Sequence, residues 1–74
     1  MAKFKIGDVV HLKSGGPEMT IESVYQPDET GARRLAYSHL KMNYPQSDVF
    51  YVCRWFNESN KLENSTFAEE VIES

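Results

Sequence analysis

The sequence predicts a mainly β domain, a small and strongly bent barrel of about five antiparallel strands, on three observations. Short runs of alternating apolar and polar residues recur along the chain, bounded by glycine, proline, asparagine or aspartate. The run Val49 to Phe56 consists almost wholly of β-branched and aromatic types. A single short helical turn is expected near the end.

Taken in order, Phe4 and Ile6 alternate with Lys3 and Lys5, the period of a strand with one wet face. Gly7-Asp8 breaks that run as a turn. Alternation resumes from Val9 to Lys13, with Val10 and Leu12 inward and Val9, His11 and Lys13 outward. Ser14-Gly15-Gly16-Pro17 is a cluster of turn formers, and Met19 to Tyr25 is the next strand, with Met19 and Ile21 inward. The segment Gln26 to Asp48 is an insert between the second and third strands. It contains Leu35, Tyr37, Leu40, Met42 and Tyr44, and 23 residues without structure would be unusual in so small a domain. Val49 to Phe56 is the third strand and Asn57 to Asn64 a polar turn region. Thr66-Phe67-Ala68-Glu69 fits a capping box, with Thr66 as N-cap and Glu69 at N3, opening a helical turn through Ile72. Antiparallel strands with tight turns and one late helical turn are the pattern of an SH3-like barrel.

Seventy-four residues make one domain, 1–74, near the lower limit for folding without staples. Cys53 is the only cysteine, so no disulfide forms within the chain and a reducing compartment, the cytoplasm, is the expected location. No signal-like apolar region opens the sequence and no run nears the ~20 apolar residues of a bilayer span, so neither export by that route nor membrane insertion is expected. The sequons at Asn57 and Asn64 then read as accidents of a polar stretch. The formal charge is −3, and the tail from Asn57 sets one lysine against five glutamates, which disfavours a broad phosphate-binding face. Arg33, Arg34 and Lys41 form a small basic spot beside Tyr37, His39 and Tyr44.

Three pieces of the chain, "FKIGDVVHLKSGGPEMTI" (Phe4 to Ile21), "VCRWF" (Val52 to Phe56) and "TFAEEVI" (Thr66 to Ile72), resemble the YodC-like family of small uncharacterised bacterial proteins. The resemblance implies an SH3-like barrel and brings no assigned activity. The insert Gln26 to Asp48 departs from it, being longer than the short turn usual there.

Catalytic and metal chemistry find no constellation. The glycine pair leads into a strand and not a helix, so it reads as a turn bordering a groove and not as a phosphate cradle. Cys53 lies mid-strand with no base in any motif near it, and one cysteine with two isolated histidines falls short of a metal site. No enzyme activity, cofactor or metal is expected.

The third strand carries the functional signal. Val49, Tyr51, Cys53 and Trp55 share one uncharged face, expected to line the interior; Phe50, Val52, Arg54 and Phe56 share the other. An exposed apolar row marks a contact, to be met either by the folded-back insert, as a helix or hairpin, or by a partner. Self-coverage is the favoured expectation, with the insert's tip, Gly31 to Arg34, left available. The candidate binding surface is Phe50, Arg54, Phe56, Arg33, Arg34, Tyr37 and Tyr44. The expected function is a small protein- or peptide-binding module with a regulatory or accessory role, acting as a monomer or weak homodimer. A nucleic-acid accessory protein using the basic and aromatic insert, and a structural subunit that self-associates, are the alternatives.

Overall fold

The third strand organises the molecule, a computed structural model that describes residues 2–74. β3 (Phe50–Phe56) pairs along its whole length with β4 (Leu62–Ala68), from Phe50 opposite Ala68 to Phe56 opposite Leu62. On its other side it pairs with β2 (Met19–Tyr25), which pairs with β1 (Val9–Leu12), which in turn pairs with β5 (Ile72–Glu73). All pairings are antiparallel, in the order β4-β3-β2-β1-β5, so the described chain is mainly β with five strands in one open sheet. β4 and β5 are its edges. The helix α1 (Ala32–Asn43) stands between β2 and β3 in sequence, and a 3₁₀ turn at Glu69–Val71 joins β4 to β5.

One face of this sheet holds the main core, built from Phe4, Val10, Met19, Ile21, Val49, Tyr51, Cys53 and Ile72. Alternation places Val10, Met19, Ile21, Tyr51 and Cys53 there, as the sequence predicts. Beyond Ile21 the simple period fails. Ile21 pairs with Cys53, but the next pair is Ser23 with Val52, so Glu22 is the extra residue of a bulge. The bulge turns Val24 toward the core and Ser23 away from it, which exchanges a polar side chain for an apolar one at that position.

Three local expectations are corrected. Lys3 to Ile6 forms no strand: Phe4 is buried, but Ile6 is exposed, and the N–H groups of Lys3 and Phe4 donate to the Tyr51 hydroxyl (3.0 and 3.1 Å) in place of a ladder. Thr66 is not an N-cap. It lies inside β4 opposite Val52, because continuous pairing with β3 outcompetes a local cap, and the 3₁₀ turn opens after Ala68 with no side-chain cap. The polar turn after β3 is correspondingly shorter than Asn57 to Asn64; Asn57 and Lys61 close it, and Leu62 to Asn64 already belong to β4.

The insert is ordered as a helix. Ala32 to Asn43 contains no glycine or proline, Gly31 precedes it at φ 64°, Lys41 sits in its last turn and Pro45 follows it. Arg33, Tyr37 and Tyr44, at helical spacing, meet the sheet face opposite the main core. The Phe50 side chain, fully buried, lies beneath Tyr37 (ring centroids 5.7 Å, edge-on) and Tyr44 (6.1 Å, tilted). Burial of a side chain this size contributes about 1.5–3 kcal/mol, and here it also holds the helix to the strand.

Candidate functional site

The helix is tied down at both ends by charged side chains. At its start, Arg33 donates to Glu29 Oε1 (2.8 Å), to Ser23 Oγ (3.2 Å) and to the Val24 carbonyl, with its guanidinium 4.4 Å from the centre of the Tyr25 ring. The pairing lowers the Glu29 pKa and raises that of Arg33, mainly through their mutual hydrogen bond. Near its end, Lys41 Nζ donates to Asp48 Oδ1 (2.8 Å) and to the Ser47 carbonyl (2.9 Å), while the Tyr37 hydroxyl donates to the Asp48 carbonyl (2.7 Å). Ser47 Oγ in turn donates to Glu70 Oε2 (2.6 Å). The basic spot is thereby largely engaged within the chain. Among its three cations Arg34 alone has no carboxylate partner among the described residues; it lines a shallow cleft of about 270 Å³ with Pro27, Tyr37, Ser38, Lys41 and Met42.

The structure divides the expected surface. Phe50 belongs to the interior, covered by the protein's own helix, and Tyr37 and Tyr44 are the cover. Arg33 is a structural staple. Arg54 and Phe56 lie toward the opposite end of β3, Phe56 about 20 Å along the strand from Phe50. Arg54 is paired with Glu22 (2.5 Å), which the bulge in β2 carries. Phe56 is 63% exposed, and Leu62 across from it on β4 is also exposed.

Trp55 lies on the core side of β3, as alternation predicts, but is not fully interior. It is half-buried, packed on Phe67 (ring centroids 6.2 Å) at the margin of the core, and it reaches the surface where β3 ends. Trp55 and Phe56 together line two adjoining clefts. One, of about 330 Å³, is completed by Glu18, Thr20, Arg54 and Leu62. The other is completed by Gly16, Pro17, Asn57 and Glu58. The glycine pair thus serves as a turn and also borders a groove: Gly15 and Gly16 have φ of 105° and 116°, Gly15 N–H donates to the Leu12 carbonyl, and Gly16 and Pro17 line the same cleft as Trp55. Sequence reasoning overlooked Trp55, Pro17 and Leu62 as surface; the available signal was that Trp55 is the penultimate residue of its strand, where an inward face runs out of partners.

The other chemistry-bearing groups are structural. The Cys53 thiol is fully buried and its pKa is pushed up to about 11 by that burial, so it stays protonated at neutral pH. No cluster of three or more histidine, cysteine, aspartate or glutamate side chains suited to a metal occurs among the described residues. Among the same residues, no helix is long and apolar enough to cross a membrane.

Compared with known proteins, the chain matches one family model, described as Uncharacterized small protein (DUF2158), over residues 5–72. No curated protein and no solved structure matches it.

Proposed function

Because the chain belongs to this DUF2158 family, whose description assigns no activity, its role has to be read from its surface, and we propose that it is a small binding module for a protein or peptide partner, with an accessory or regulatory role. The observation that carries the reading is the exposure of Phe56 beside Trp55, at a groove between the Gly15-Gly16-Pro17 turn and the β3–β4 hairpin. Aromatic side chains held on a rigid sheet, with loops on either side, suit recognition of an extended segment. A strand order in which β5 returns to pair with β1 supports assigning the open sheet to the SH3-like barrels. The motifs Gly7-Asp8-Val9-Val10 and Cys53-Arg54-Trp55-Phe56 support the narrower kinship with YodC-like proteins. A cytoplasmic, non-enzymatic role fits the protonated single cysteine. The nucleic-acid alternative loses its main support, since Arg33 and Lys41 are engaged internally.

The test is selection from a random dodecapeptide library on the immobilised protein, with a counter-screen on Phe56→Ser. An exposed position tolerates that change, so the variant should melt like the parent. Recovered peptides should bind the parent and lose binding to the variant. A selection that yields no Phe56-dependent peptide refutes the reading.

A further inference from the structure

We propose that the clefts around Trp55 and Phe56 receive a lysine or arginine side chain of the partner peptide, its cation against the aromatic wall between Glu18 and Glu58. This inference rests on the binding-module reading and names the chemistry of the ligand.

Charge selects the occupant. Among the described residues the only cation lining either cleft, Arg54, is paired with Glu22. Glu18 lines the first cleft and Glu58 the second, and neither has an ion-pair partner among the described residues. Lys61, in the same hairpin as Glu58, lines neither. Each of the two clefts that share Trp55 and Phe56 therefore carries one carboxylate without an ion-pair partner, a setting that repels phosphate and attracts a cation. Tryptophan is the aromatic whose face attracts cations most strongly. Among the described residues the cation–ring contacts made inside the molecule go to Phe4 and Tyr25, so the ring of Trp55 is not capped by a cation of its own chain. Pro17 and Leu62 supply apolar walls for the aliphatic stem that a lysine or arginine carries beneath its charge.

The peptides recovered with Phe56 dependence should be enriched in lysine and arginine relative to the library. Replacing the lysine or arginine of one such peptide by norleucine should weaken binding about three- to tenfold, the range for a cation on an exposed aromatic with nearby carboxylates. The Glu18→Gln/Glu58→Gln variant should bind the parent peptide more weakly than the unmodified protein does and leave binding of the norleucine version unaffected. In a titration with ¹⁵N-labelled protein, the parent peptide should shift the Trp55 indole N–H. The cation assignment is overturned, with the binding-module reading intact, if Phe56-dependent peptides show no enrichment in basic residues, or if the norleucine peptide binds equally well. It is overturned too if a single-stranded oligonucleotide moves the Trp55 indole resonance in place of peptide. Recovery of no Phe56-dependent peptide overturns both.

Discussion

Tyr51 shows how one side chain substitutes for a missing strand. Its hydroxyl donates to Glu69 Oε2 (2.6 Å) and accepts from the N–H groups of Lys3 and Phe4, so the N-terminal segment, β3 and the 3₁₀ turn meet at a single oxygen. Burial, reinforced by the adjacent Glu69 carboxylate, pushes its pKa up to about 12. The folded state therefore holds this proton more tightly than the unfolded chain does. That contribution to stability is complete below the unfolded tyrosine pKa, near 10, and is lost as pH rises through the folded value. Tyr51→Phe should cost about 1–3 kcal/mol at neutral pH, because the buried Phe4 N–H loses its acceptor while the exposed Lys3 N–H keeps Glu69 Oε2, and should flatten the fall in melting temperature between pH 10 and about 12. Thermal melts of both proteins across that range check it, and an unchanged alkaline slope would remove Tyr51 from the account. The inward place of Tyr51 was legible from alternation; the partner of its hydroxyl was not, because Lys3 lies 48 residues away.

At the scale of elements, β3 is one strand with two fates. Its first residue on the outer face, Phe50, is covered by α1, and its last, Phe56, is bare. The helix contributes no fully buried residue of its own and leaves Leu35 and Met42 70% and 80% exposed, so aromatic contacts and charged staples are what hold it. Its amides should exchange with solvent faster than those of β2 and β3, while remaining more protected than the turns. Replacing residues 27–47 by a short turn should uncover Phe50 and raise the sedimenting mass above that of the intact protein. A shortened protein that sediments and melts like the parent would show that α1 is dispensable as a cover. The insert's order was foreseeable from its five large apolar residues. Its helical form is not legible from a hydrophobic count, because the face it presents to the sheet is set by Arg33, Tyr37 and Tyr44, amphipathic side chains that such a count undervalues.

For the whole molecule, charge placement decides more than net charge. The sum of −3 fits many partners, but Arg33, Lys41 and Arg54 are each paired with a carboxylate of the chain, and carboxylates without such a partner line the clefts at Trp55 and Phe56. Nonspecific nucleic-acid binding requires several cations acting together on phosphates. Fluorescence anisotropy with single-stranded DNA or RNA should accordingly show no binding at physiological salt, and Arg34→Ala should change nothing. Salt-sensitive micromolar binding that weakens on Arg34→Ala would return the function to the insert.

The local pattern of the sequence was enough to determine that this chain is mainly β, that Val10, Met19, Ile21, Tyr51 and Cys53 face one core, that a glycine turn separates β1 from β2, and that Phe50 on the outer row of β3 is covered by the insert. Each of these follows from the two-residue period of a strand or from the backbone freedom of glycine, both of which act between near neighbours. Tertiary structure alone decided where the period breaks and where it ends. The bulge at Glu22 depends on the register against β3, Thr66 became a strand residue because β3 offered a longer ladder than a cap could, and Trp55 ended half-buried at the margin of the core, against Phe67. Those outcomes depend on pairing between residues distant along the chain, where long-range packing overrides local preference.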